Sequence, residues 1–244
     1  MGWRTSISKK SLMTQSVSRN PEIARKIDHT LLKPTLNRTE LETLCREAAE
    51  WRFATVCIPP CWVSDAVRML KGTDVGTITV VGFPLGYSHP SSKAFEARRA
   101  IDEGASEIDL VVNLSRIKSS MWSEVESDIS ETVRACGAIP VKVIIETAYL
   151  TQEEKTAAAL AAERAGAAFV KTSTGFATGV PVSGATVEDI RMLRNLLRPT
   201  TRIKASGGIR DLASAITLIE AGADRLGTSS GVSILQGLSA SGAY

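Results

Sequence analysis

Histidine is almost missing from this chain. Only His29 and His89 occur in 244 residues, so a histidine-rich catalytic metal site is not expected, nor a zinc-dependent route to the chemistry. The four cysteines, Cys45, Cys57, Cys61 and Cys136, show no CxxC spacing. A chain of this length needs no stapling, and they read as reduced thiols in a cytoplasmic protein. No apolar run is long enough for a signal peptide or a membrane span. Charge of one sign is lacking as well: the formal net charge is +3, with lysines and arginines dispersed among acids, which predicts no nucleic-acid partner. Acidic residues are absent from the first twenty positions, MGWRTSISKKSLMTQSVSRN. That composition is shared with organellar transit peptides, but no arginine-bearing amphipathic face develops, so residues 1–20 read as a flexible extension.

With 43% hydrophobic and 23% charged residues, there is material for one large α/β domain or two small ones. Short β-branched runs alternate with helical patterns about eight times, with no break in composition. Strands are predicted at 27–31, 54–58, 77–83, 107–113, 141–146, 168–173, 202–206 and 225–228. Helices are predicted at 39–51, 63–70, 91–102, 122–136, 152–165, 187–197 and 212–221, with a last one from 232. Thr39 with Glu42, and Thr151 with Glu154, read as capping boxes. Gly104, Gly166 and Gly222 read as helix ends in the similar phrases DEGASEIDL, ERAGAAFVK and EAGADRLGT. Such a repeated unit predicts a closed (β/α)8 TIM barrel over 21–238, with a flexible tail at 239–244. A doubly wound open sheet is the alternative, but it usually carries a GxGxxG fingerprint after its first strand, where this chain reads LKPTLN.

Two of the predicted strands carry a lysine inside an apolar run: Lys171 in AAFVKTSTG and Lys204 in RIKASGGI. Burying an ammonium without a compensating use is costly. A free lysine has a pKa near 10.4, so on the order of one in a thousand is the neutral nucleophile at pH 7. Bringing that value near 7 takes roughly 4 kcal/mol, which desolvation and a second cation can supply together. Paired lysines in a dry pocket therefore point to Schiff-base chemistry.

Side chains on a strand alternate faces, so the polar residues can be sorted by period two. Asp109 falls with Val111 and Asn113, Lys142 with Ile144 and Glu146, Lys171 with Phe169 and Ser173, and Lys204 with Ser206. If these faces point inward, one carboxylate and three amines converge at the carboxyl end of the barrel, where barrel enzymes place their sites. Gly207 and Gly208 follow the seventh strand, and Gly227-Thr228-Ser229-Ser230-Gly231 closes the eighth and opens a helix. Both positions suit a phosphate, to which Arg210 adds charge.

Taken together, VKTSTGF around Lys171, KASGGIR around Lys204, EIDLVVN around Asp109, KVIIET from Lys142 and the terminal GTSSG resemble the deoxyribose-phosphate aldolase family from about Ile27 to Leu238. The resemblance implies a class I aldolase on a TIM barrel. It would interconvert 2-deoxy-D-ribose 5-phosphate with acetaldehyde and D-glyceraldehyde 3-phosphate, with no metal or organic cofactor. It implies that Lys171 is the Schiff-base lysine, Lys204 its proton-relay partner and Asp109 the acid/base carboxylate. Asp28, Thr30, Cys57, Lys142, Thr172 and Gly175 would line the pocket, with Gly207, Gly208, Arg210, Ser229 and Ser230 at the phosphate. Partners would be phosphorylated sugars and aldehydes, and a homodimer or higher homo-oligomer would fit the family. Some members carry a lysine after the glycine of KTSTG; Phe176 stands there in this chain, removing any phosphate contact from that lysine. The tail LSASGAY would bring Tyr244 over the pocket mouth. Two other readings compete: a Schiff-base aldolase for a different phosphorylated sugar, and a silent barrel that senses a sugar phosphate.

Overall fold

The β-branched runs become strands in a computed structural model that describes residues 20–181 and 183–238. They are β1 (Ile27–Thr30), β2 (Thr55–Ile58), β3 (Gly76–Val81), β4 (Glu107–Val111), β5 (Val141–Ile144), β6 (Phe169–Lys171), β7 (Arg202–Ser206) and β8 (Arg225–Thr228). Each pairs in parallel with its neighbours in sequence, and β8 returns to β1, closing a TIM barrel of one domain. The outer helices are α1 (Pro21–Ala24), α2 (Arg38–Trp51), α3 (Val63–Met69), α4 (Pro90–Asp102), α5 (Leu114–Lys118), α6 (Trp122–Cys136), α7 (Gln152–Arg164), α8 (Val187–Leu196), α9 (Leu212–Glu220) and α10 (Gly231–Leu235). The predicted extension, apart from Asn20, and the predicted tail with Tyr244 lie outside the described residues.

The differences from expectation have local causes. Asn37, not Thr39, caps α2: its side chain accepts from the Glu40 N–H at 3.1 Å, and Glu40 accepts from the Asn37 N–H. Thr39 sits inside the helix. The Thr151–Glu154 box forms as expected. Two short helices were not expected, and each starts at an asparagine: Asn20 ahead of Pro21, and Asn113, which accepts from the Arg116 N–H. β4, β5 and β6 stop before their predicted ends because the following residues build the loops of the barrel mouth. Glu146, for example, leaves the sheet in the left-handed region at φ 51.

Beyond their opening residues all eight strands are buried, yet the two faces separate chemically. Val56, Ile58, Ile108, Leu110, Val143, Val170 and Ile203 pack outward in the core shared with the helices. The intervening positions point into the barrel, where Leu32, Cys57, Ile78 and Val80 form a small apolar cluster of their own. Among the described residues, no helix is long and apolar enough to cross a membrane.

One buried lysine braces the wall of the barrel. Lys93 of α4 is fully buried, with Nζ 2.7 Å from Asp128 of α6 and 3.0 Å from the Val111 carbonyl at the end of β4. Removing one partner leaves the other charge uncompensated. Lys93→Ala is expected to lower stability by about 3–5 kcal/mol in urea unfolding, whereas Lys93→Met combined with Asp128→Leu costs less, since neither charge is then stranded.

Candidate active site

The inward face of the barrel floor is a network of ion pairs. Asp109 Oδ2 accepts from both Lys171 Nζ at 2.8 Å and Lys204 Nζ at 2.7 Å. Lys204 Nζ also lies 2.7 Å from Asp28 Oδ2. Lys142 pairs with Glu107 and, at 3.3 Å, with Asp109 Oδ1. Arg225 pairs with Asp28 and, at 3.3 Å, with Glu107. Strand register explains the convergence: Asp109 stands beside Lys142, Ile144 beside Lys171, and Lys171 beside Lys204, all on inward positions of β4 to β7. Gly227 makes room for the arrangement, because a Cβ there would come within 3.0 Å of Lys204 Cε.

The network holds four cations (Lys142, Lys171, Lys204, Arg225) and three carboxylates (Asp28, Glu107, Asp109). Four minus three leaves one positive charge, so one lysine can lose its proton and bring the cluster to neutrality. Lys142, Lys204 and Arg225 each touch two of these carboxylates, whereas Lys171 touches Asp109 alone. Lys171 is also the one lysine of the three that lines the open cleft. Burial would push the Asp109 carboxyl up, but Lys171, Lys204 and Lys142 hold it well below the usual carboxylate range. Asp28 is also pushed up by burial, and Lys204, Arg225 and Lys142 hold it at about 2. For Lys204, burial favours the neutral amine, and the Asp109 and Asp28 carboxylates override it, raising its pKa. Lys204 is therefore a fixed cation within the cluster. Asp109 Oδ1 is buried and accepts no hydrogen bond, its ionic neighbour being the Lys142 ammonium at 3.3 Å.

Above this floor opens a cleft, about 520 Å³ of space when its mouth and the solvent beyond are counted. Of the residues singled out in the sequence, Thr30, Lys171, Gly175, Gly207, Gly208, Arg210, Ser229 and Ser230 line it. Gly207 has to be glycine: its φ is +84, and a Cβ would meet the Cα of Gly184 at 2.8 Å. Ser230 donates its own N–H to Thr228 Oγ1 at 2.9 Å, so toward a ligand it offers its hydroxyl. Asp28, Lys142 and Lys204 lie beneath the cleft, in the ion-pair network. Cys57 is fully buried in the inner apolar cluster, where burial pushes its thiol up.

Thr172 is not in the cleft lining. It is fully buried, its hydroxyl donating to the Ser206 carbonyl at 3.2 Å and accepting from the Ser206 N–H at 3.1 Å, so it fastens β6 to β7. Glu107 and Arg225 were missed by the sequence reading, although the same period-two sorting puts them on the faces of Asp109 and Gly227. Each opens its strand, and a charge at a strand end reads as solvated. Among the described residues, no three His, Cys, Asp or Glu side chains gather as a metal ion would require.

A closed parallel barrel with amines and carboxylates gathered under its carboxyl-end cleft defines a class, the (β/α)8 barrel enzymes. The comparisons narrow it. A family model described as DeoC/LacD family aldolase matches residues 22–237, and the chain belongs to that family. Deoxyribose-phosphate aldolase 1 of Bacillus licheniformis is 51% identical over 224 residues, covering 91% of this chain and 99% of that one. Among solved structures, an aldolase called QR15 superposes with TM-score 0.83 at 42% identity, covering 88% of this chain and 94% of that one. The deoxyribose phosphate aldolase of Aeropyrum pernix, described as a tetramer, superposes with TM-score 0.79 at 33% identity, covering 88% and 91%.

Proposed function

We propose that the chain is a class I aldolase that reversibly cleaves 2-deoxy-D-ribose 5-phosphate to acetaldehyde and D-glyceraldehyde 3-phosphate, with Lys171 as its Schiff-base nucleophile. The observation that carries the assignment is the unequal pairing of the lysines. Lys171 alone both faces the cleft and shares its single carboxylate of the network with a second cation.

Neutral Lys171 Nζ attacks the aldehyde carbon of the open-chain sugar, and loss of water gives an iminium. The iminium draws in the electron pair of the C2–C3 bond as that bond breaks, while the C3 hydroxyl gives its proton to Asp109, directly or through a water. Asp109 Oδ1 is suited to receive it, being buried and without a hydrogen bond. The departing fragment is D-glyceraldehyde 3-phosphate, and an enamine remains on Lys171. Protonation of the enamine at C2 and hydrolysis release acetaldehyde and restore the amine. Lys204 rests as a cation beside Lys171 and shares Asp109 Oδ2 with it, which gives a proton a short path between them.

The phosphate end belongs against Gly207, Gly208, Ser229 and Ser230, with Arg210 at the rim. Binding there orients the reacting end at a distance from the chemistry. Since Phe176 contributes no charge, Arg210 carries more of this interaction. Arg210→Ala is expected to raise KM for 2-deoxyribose 5-phosphate about tenfold, the loss of roughly 1.4 kcal/mol, and to leave kcat/KM for unphosphorylated 2-deoxyribose nearly unchanged. Steady-state kinetics on the two sugars checks this. The reading itself is tested by release of glyceraldehyde 3-phosphate from the phosphorylated sugar, and by a preference for acetaldehyde over dihydroxyacetone as donor in the reverse direction. A self-associated form of the chain, like that of the Aeropyrum protein, belongs to the same proposal and is read by sedimentation.

A further inference from the structure

The cleft takes its lining from β1, β6, β7, β8 and the loops that follow them. Over the other half of the mouth lies an aromatic bridge. Phe83, in the loop after β3, meets Phe176, in the loop after β6, edge to face, with ring centroids 5.2 Å apart at 86°. β3 and β6 are not neighbours: β4 and β5 stand between them in the barrel. The contact therefore spans the carboxyl ends of the two strands that carry Asp109 and Lys142. Beneath the rings, and packed against them, is the inner apolar cluster of Leu32, Cys57, Ile78 and Val80. Asp109 borders that cluster, since its register partner on β3 is Val80.

Phe176 is held in place by a chain of hydrogen bonds. Glu146, buried and in the left-handed region, accepts from the Thr174 N–H at 3.1 Å and from the Thr174 hydroxyl. Thr174 Oγ1 accepts in turn from the Phe176 N–H at 3.0 Å. Burial pushes the Glu146 carboxyl up, and the Thr174 bonds oppose this.

Resting on the aldolase reading above, we infer that the Phe83–Phe176 bridge selects the donor aldehyde, by closing an apolar wall beside the nucleophilic carbon that favours a donor carrying no hydroxyl there. C1 of the substrate is bonded to Lys171 Nζ, and C3 onward runs toward the phosphate loops of β7 and β8. Any further substituent on C2 is directed away from those loops, at Leu32, Cys57 and Val80 under the two rings. The hydrogens of an acetaldehyde-derived enamine lose nothing there. A hydroxyl in the same place is buried without a partner, because Asp109 Oδ1 is engaged by the C3 hydroxyl. An apolar pocket rejects an added hydroxyl by only about 10²-fold, which sets the size of the effect. Glu146 and Thr174 are positioning residues for the roof.

The test compares kcat/KM for acetaldehyde and glycolaldehyde as donors, with D-glyceraldehyde 3-phosphate as acceptor, using the full chain. The expected preference for acetaldehyde is about 10²-fold. In Phe176→Ser it falls to about tenfold or less, through a gain with glycolaldehyde, because the new hydroxyl gives the donor a partner. Phe176→Leu keeps that wall apolar and is expected to keep the preference. If Phe176→Ser does not fold, as circular dichroism reports, Phe83→Ser takes its place with the same expectation. A serine variant that slows both donors alike, or a leucine variant that loses the preference as fully as serine does, overturns the assignment. Lack of acetaldehyde addition in the unsubstituted chain defeats the aldolase reading instead, so the two failures are told apart.

Discussion

Lys171→Met is expected to lower kcat/KM for cleavage on the order of 10⁵-fold or more, the scale seen when a covalent nucleophile is removed, while the barrel stays folded. The second half of that expectation follows from the charges. Without Lys171 the network holds three cations and three carboxylates, and Asp109 keeps both Lys204 and Lys142. No carboxylate is stranded, and methionine fills much of the volume of the lysine stem. Thermal unfolding that stays within a few degrees of the parent, beside an activity at background, is the signature of a lost nucleophile. A large drop in melting temperature would mean that Lys171 is chiefly structural.

Lys204→Leu is expected to lower kcat at pH 7 by roughly three orders of magnitude, because it removes both a fixed charge and a proton carrier of the kind worth about 10²–10⁴-fold. With Lys204 present, loss of the Lys171 proton brings the network from +1 to zero. With leucine there, the same loss takes it from zero to −1, and Asp109, relieved of one cation, pairs more fully with Lys171. Steady-state kinetics of cleavage on both proteins reads the loss. A variant as active as the parent would contradict the coupling of the two lysines. The role given to Lys204 by the sequence is thereby sharpened. It rests as a cation, held so by Asp28 and Asp109, and hands its proton on only as the reaction proceeds.

The barrel was legible because it depends on local signals repeated along the chain. β7 and β8 have the predicted bounds, and β1 to β6 differ by one or two residues at an end. The lysines at 171 and 204 were visible for the same reason: a charge interrupting a β-branched run is anomalous wherever the strand ends up. What was not visible depends on contacts distant in sequence. Arg225 meets Asp28 across 197 positions, and Phe83 meets Phe176 across the barrel mouth. No periodicity encodes either contact. Lys93 shows a third limit, since KAFEARR reads as a solvated helical turn until α6 brings Asp128 against it. Thr172 misled in the opposite direction: its place in a motif suggested the pocket, but the strand alternation that turns Lys171 inward turns its neighbour toward β7.

Which nitrogen forms the covalent adduct is measured by borohydride trapping with acetaldehyde, followed by peptide mapping. The predicted result is one reduced ethyl adduct per chain, on the peptide containing Lys171 and absent from Lys171→Met. An adduct on Lys204 or Lys142, or none at all under conditions where the enzyme turns over, would contradict it.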